Sequence, residues 1–122
     1  MSNDVSWEVE LAVKPGQLEN FRVLTSEMVE HTRGEPGVLI YERFLSDDGT
    51  VVYVYERYAD SASAISHLQG FGKIFGARFV DMVERKRFTV FGIASDELKA
   101  MLDRFGATYH SPFDGFSLVQ HG

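Results

Sequence analysis

The chain has 122 residues, 44% of them hydrophobic and 25% charged, enough for one domain with its own core and too few for two. Twelve Lys and Arg against eighteen Asp and Glu leave a net charge of −6, which disfavours nucleic acid and anionic membrane surfaces as partners. With no cysteine, disulfide scaffolds, thiolate metal sites and Cys nucleophiles are excluded. No signal-peptide pattern opens the chain and no apolar run approaches the ~18 residues of a membrane span, so a soluble cytoplasmic protein is expected.

Trp7, Val9, Leu11 and Val13 alternate with Glu8, Glu10 and Ala12, the period of a half-buried strand over Ser6–Val13. Pro15-Gly16 closes it, and Leu18, Phe21, Leu24 and Met28 then recur at helical spacing, predicting a helix from Gly16 to Thr32. Gly34, Pro36 and Gly37 end that helix. Val38–Leu45 and Thr50–Tyr58 read as strands, and the Asp48-Gly49 pair between them predicts an antiparallel hairpin. From Asp60 the apolar positions Ala64, Leu68, Phe71, Phe75, Phe79 and Met82 return to helical spacing, with Gly70, Gly72 and Gly76 expected to bend or interrupt the helix. Arg85–Ala94 reads as a further strand. Ser95, followed by two acids, caps a short helix carrying Leu98, Met101, Leu102 and Phe105. In the tail, Phe116–Val119 is a candidate strand or a segment that wraps a neighbour.

The order β-α-β-β-α-β predicts an α+β fold of the ferredoxin-like, split βαβ kind: an antiparallel four-stranded sheet with helices on one face. Both faces of the strands are rich in large side chains. A homodimer that pairs two sheets is therefore expected.

Glu35-Pro-Gly-Val-Leu-Ile-Tyr-Glu42, Val54-Tyr-Glu-Arg-Tyr-Ala-Asp60 and Ala64-Ile-Ser-His-Leu68, in this order and spacing, resemble the antibiotic biosynthesis monooxygenase domain. The resemblance spans residues 5–94 within a single domain, 1–122. Residues 95–122 form a C-terminal helix and tail extension, similar to that of members described as quinol monooxygenases. The family implies a dimeric α+β barrel, often with cofactor-free oxidation of quinol-like or polyketide aromatic substrates by molecular oxygen. It also includes haem-degrading members. The extension itself suggests no chemistry; covering a sheet edge or strengthening a dimer is its plain role, a substrate lid the sharper one.

Oxidation without a cofactor needs a substrate anion, and therefore a base, an oxyanion partner and a dry aromatic pocket. His67 flanks the apolar stripe of its helix and occupies the family's His-Leu position, which makes it the candidate base. A structurally hydrogen-bonded histidine is the plainer alternative. Tyr41 and Tyr55 are candidate hydrogen-bond donors to an oxyanion, and Arg57 a candidate charge. Alternation puts Tyr53, Tyr55 and Arg57 on one face of their strand and Val52, Val54, Glu56 and Tyr58 on the other, so the first set is expected to form a pocket wall. Trp7, Tyr53, Phe71, Phe75 and Phe79 are candidate substrate contacts, although core packing explains most of the phenylalanines equally well. Glu42 and Glu56 could pair as carboxylates, yet structural salt bridges are the commoner use of such acids.

No metal site is expected. His31, His67, His110 and His121 form no ligand motif, Glu27 with His31 offers only one edge of a site, and Phe71–Val83 lacks the histidine that haem degradation would need. Gly70–Gly76 is a misplaced imitation of a dinucleotide loop, Arg85-Lys86-Arg87 is a solvated basic run, and no Gly-x-Ser-x-Gly is present. These readings converge on a cofactor-independent monooxygenase acting on a small quinol-like or polyketide aromatic substrate, with molecular oxygen as co-substrate. The alternatives are a non-catalytic small-molecule-binding or stress-response dimer, and an isomerase or decarboxylase in which His67 moves a proton without oxygen.

Overall fold

The computed structural model describes residues 2–119. His121 therefore lies outside the described residues. The elements run β1 (Val5–Val13), α1 (Leu18–Arg33), β2 (Val38–Leu45), β3 (Val51–Tyr58), α2 (Ser61–Ile74), α3 (Gly76–Met82), β4 (Val83–Gly92), α4 (Asp96–Leu102) and β5 (Thr108–His110). A single 3-10 turn, Asp103–Phe105, follows α4. The architecture is the expected α+β, ferredoxin-like one, with a sheet of order β2-β3-β1-β4-β5.

That sheet has five strands where four are expected, and it is mixed. β5 adds to the β4 edge in parallel, Thr89 to Phe91 facing Thr108 to His110. Of the two readings of the tail, the strand does not form at Phe116–Val119, and the pairing falls earlier, at Thr108–His110. The second long helix breaks at Phe75, whose amide closes α2 onto Phe71 while its carbonyl starts α3 by accepting from Phe79. The helix starts are set locally: Asp60 accepts from the Ser63 amide and Ser95 from the Leu98 amide, each satisfying a donor that the helix leaves open.

The core lies between the sheet and its helices. Val5, Trp7, Val9 and Leu11 of β1 point there together with Val52, Val54 and Tyr58 of β3 and Val83, Phe88 and Val90 of β4. Phe21, Leu24 and Met28 of α1, Ala64 of α2, Phe79 of α3, and Leu98 and Leu102 of α4 close over them. On the opposite sheet face no helix packs among the described residues; the tail borders it only near Ser6, Arg57 and Phe91, and Phe44 and Tyr53 remain 55% and 48% exposed on it. No helix among the described residues is long and apolar enough to cross a membrane.

One irregularity shapes the interior. Between β1 and β4 the register shifts: Glu10 faces Arg87 but Leu11 faces Arg85, leaving Lys86 as an extra residue on β4. A β-bulge of this kind lets residues of odd separation share a face. Phe88 and Val90 point into the core above the bulge, and Arg85 and Val83 point the same way below it.

Candidate functional site

Glu56 stands among Val52, Val54 and Tyr58 on the inward face of β3, and is 5% exposed. Isolated there, a carboxylate would cost many kcal/mol, so it must be paired and hydrogen-bonded. Trp7 Nε1 donates to Oε1 at 3.0 Å and the Tyr58 hydroxyl to the same oxygen at 2.5 Å. Arg43 donates from Nη2 to Oε2 at 2.5 Å. Burial pushes the carboxyl up, but the charge of Arg43, that of His67 when protonated, and the hydrogen bonds from Tyr58 and Arg43 outweigh it and hold Glu56 below the ordinary carboxylate range.

His67 reaches this cluster from α2. It is 4% exposed, its Nε2 lies 3.7 Å from Glu56 Oε1, and its Nδ1 sits 2.8 Å from Glu35 Oε1. Glu35 comes from the turn between α1 and β2 and also approaches His31 Nδ1 at 3.3 Å. The turn is brought close by Gly37, at φ +83°, where a Cβ would fall 2.1 Å from Ser63 Oγ of α2. Only a residue without a side chain tolerates both the left-handed backbone and that approach. A carboxylate on Nδ1 fixes the imidazole with its proton there and leaves Nε2 to accept one, the orientation logic of a base held by a second group.

Tyr41 lies beside His67, the rings edge to face at 5.4 Å, and Arg43 covers its other side with Cζ 3.5 Å from the ring centroid. Burial, reinforced by the charge of Glu56, pushes the Tyr41 hydroxyl up to about 12. Tyr58 is raised for the same two reasons. Both phenols stay protonated at neutral pH and serve as donors, not bases.

Arg43, Glu56 and His67 border an interior cavity of about 40 Å³ lined also by Trp7, Val9, Val54, Phe71, Phe79, Arg85 and Phe105, with Tyr41 and Tyr58 behind them. That volume takes little more than a water or two, so a ring-sized ligand must displace side chains on entry. Phe71 and Phe105, each only partly buried, are placed to yield. Phe105 stacks on Phe88 at 5.7 Å, so the C-terminal extension supplies one wall of the cavity as well as the strand covering the β4 edge.

The structure brings together His67, Tyr41, Trp7, Phe71 and Phe79 of the residues singled out from sequence. It does not bring Tyr53, Tyr55 and Arg57 to them. Those three face the other side of the sheet, where Tyr53 donates to Glu10 at 3.0 Å and Arg57 donates to Asp4 at 2.7 Å. They share one face, as alternation predicts, but it is the face away from His67: Tyr53 and Tyr55 border a separate outward groove, while Val54 and Glu56 of the other set line the cavity. Phe75 is core, packed edge-on against His31. Glu42 is exposed opposite Tyr55, so Glu42 and Glu56 lie on opposite faces and form no carboxylate pair. Glu27 is taken by Arg78 through both carboxylate oxygens at 3.1 Å.

Sequence reasoning gave no role to Glu35 or Arg43 and weighed Glu56 only as half of the wrong pair; it read Arg85 as part of a solvated basic run, which is corrected by its place on the cavity wall between Phe79 and Phe105. A signal for Glu56 existed, since an acid in register with Val52 and Val54 on an apolar face demands partners. Glu35 and Arg85 had none, because one rests on a turn and the other on a bulge.

A model of the family described as antibiotic biosynthesis monooxygenase matches residues 5–85. Comparison with curated proteins finds no match. Among solved structures, MupZ from Pseudomonas fluorescens is similar with a TM-score of 0.86 at 23% identity, over 96% of this chain and 91% of its own. Rv0793 from Mycobacterium tuberculosis gives 0.62 at 23% identity, over 76% and 97%. SnoaB from Streptomyces nogalater, a cofactor-independent oxygenase, gives 0.66 at 12% identity, over 77% and 96%.

Proposed function

We propose a function that proceeds from membership: the chain belongs to the antibiotic biosynthesis monooxygenase family, and its interior cavity is read as the site of a cofactor-independent monooxygenase. The observation that carries this reading is the buried His67, with Nδ1 held 2.8 Å from Glu35 and the ring on the cavity. His67 Nε2 takes the proton of a phenol or enol, and Glu35 stabilises the imidazolium that forms. Tyr41, kept neutral, and Arg43, whose Nε and Nη1 are buried without partners, stabilise the resulting oxyanion. The anion passes an electron to molecular oxygen, the two radicals combine as a peroxide anion that takes the proton back from His67, and loss of water from the hydroperoxide leaves a carbonyl. The similar fold of SnoaB, a cofactor-independent oxygenase, supports a mechanism without a resident metal or flavin.

The substrate class is a small quinol-like or polyketide aromatic, its ring lying against Trp7, Phe71 and Phe79. A second copy of the chain is read as covering the sheet face that bears Phe44, Tyr53 and Phe91, and the absence of cysteine suits a reducing cytoplasm.

A second reading is favoured by Glu56, whose bonds to Trp7, Tyr58 and Arg43 build a fixed anion beside His67. A base between two carboxylates can shuttle a proton with no oxygen consumed, as an isomerase or decarboxylase does. Oxygen uptake by the metal-stripped protein over hydroquinones, naphthols and anthrones, repeated anaerobically for product formation, separates the two. Under the first reading uptake is expected, and His67→Ala lowers it by about 10²–10⁴-fold. Anaerobic turnover selects proton transfer, and ligand binding without either reaction selects the non-catalytic dimer.

A further inference from the structure

Arg85 is the one cationic group on the cavity wall that, among the described residues, has no ion pair. It lies between two phenyl rings, its Cζ 4.8 Å from the Phe79 centroid and 4.2 Å from that of Phe105. Burial works against its charge, and Glu56 offsets this only in part. A guanidinium placed this way, with its donors unused by any carboxylate, is suited to one arriving from outside.

Register fixes where it stands. On the inward face, Tyr41, Glu56 and Trp7 form one row, and Arg43, Val54, Val9 and Phe88 form the next. Val52, Leu11 and Arg85 form the third. Successive rows are two residues apart, so Arg85 is rooted about 13 Å along the strands from the Glu56 row, where His67 acts. Val9, Val54 and Phe88 separate the two ends, with Arg43 at the β2 side of the same row turned to Glu56. The cavity thus has a proton-moving end and a cationic end.

We propose that Arg85 anchors a permanent carboxylate of the substrate, so that the ligand spans the cavity with its acidic O–H or C–H at His67 and its carboxylate at the Arg85 end. This rests on reading the cavity as the binding site and adds a specificity that oxidation chemistry does not require. The bulge at Lys86 is what makes it possible, because regular alternation back from Phe88 would put Arg85 on the opposite face.

The test uses 4-hydroxyphenylacetate and its neutral isostere 4-hydroxyphenylacetamide. Binding is followed by calorimetry and by the fluorescence of Trp7, the only tryptophan in the chain and a residue of the cavity wall. The carboxylate is expected to bind at least about tenfold more tightly than the amide, and Arg85→Met to reduce that preference below about twofold. Arg85→Lys, which retains the charge but not the fork, is expected to keep part of it. Equal binding of the two compounds, no binding of either, or a preference undiminished in a folded Arg85→Met would overturn the proposal and leave Arg85 as a stacking residue. A carboxylate preference in a protein that neither consumes oxygen nor transfers substrate protons would sustain the anchor while sinking the catalytic reading.

Discussion

Along β3 two chemistries share one backbone. On the inward side, Glu56 and Tyr58 sit in a dry environment where every polar atom must find a partner, and they find Trp7, Arg43 and His67. On the outward side, Tyr53 is half exposed and bonds to Glu10 across a solvated surface, whereas Arg57, its side chain 18% exposed, pairs with the buried Asp4. The inner groups are linked into one network around a buried carboxylate beside a base, whereas the outer ones form separate pairs, and that connection explains why the inner set is the one that can do chemistry.

The largest effect that would break this contrast is expected at Glu56. Glu56→Gln leaves the Arg43 charge buried without its counter-ion and should cost about 3–5 kcal/mol in unfolding free energy, measured by denaturant titration. Combining it with Arg43→Met should recover part of that loss, because the stranded charge goes too. The same carboxylate gives a pH signature. It is faced by Arg43 and Tyr41 of β2, Tyr58 of β3 and His67 of α2, with Arg85 of β4 two rows away, and its pKa is lowered in the folded state. Its stabilisation is thus present above the unfolded glutamate value of about 4.3 and lost as pH falls through the lower folded value. Wild-type stability should drop across that acid limb, and Glu56→Gln should flatten it; parallel slopes in the two proteins would show that Glu56 is not the group responsible.

A smaller effect tests whether the turn matters to the site and not only to the fold. Gly37→Ala must place a Cβ against Ser63 at a left-handed backbone position, at a cost of about 1–3 kcal/mol. Relaxation of the clash moves Glu35 away from His67 Nδ1. Turnover should therefore fall at temperatures where the variant remains folded, as the imidazole loses the carboxylate that orients it. Loss of stability with unchanged turnover would confine Gly37 to the fold.

Much of the architecture was legible from pattern alone. The alternation from Trp7 to Val13 and the Asp48-Gly49 turn place β1, β2 and β3 within a residue or so, because a hairpin and a half-buried strand are written in local periodicity. The break at Phe75 follows from the glycines around it. β5 escaped because three residues, Thr108–His110, carry too short a pattern to announce a pairing made across the chain with β4. In the site, His67 stood out through its place on the apolar stripe. The choice of face on β3 failed for a physical reason: large side chains occupy both faces, so hydrophobicity could not say which was inward, and the acid that breaks the Val52 and Val54 series was the clue. Arg85 and Glu35 are set by a bulge and a turn, features that alternation does not encode.

The smallest expected effect sharpens the comparison most directly. Arg57 was expected from sequence to stabilise an oxyanion, yet it lies across the sheet from His67, bonded to Asp4. Arg57→Met should therefore leave kcat/KM within about twofold of wild type at protein concentrations where the oligomeric state is unchanged, since it touches neither the cavity nor the residues that line it. Tyr41→Phe, on the inward face, removes a protonated hydroxyl beside His67 and should lower kcat by an order of magnitude or more. If Arg57→Met lost as much as Tyr41→Phe, the outward face would have to belong to the reaction, and the division of labour across β3 would fail.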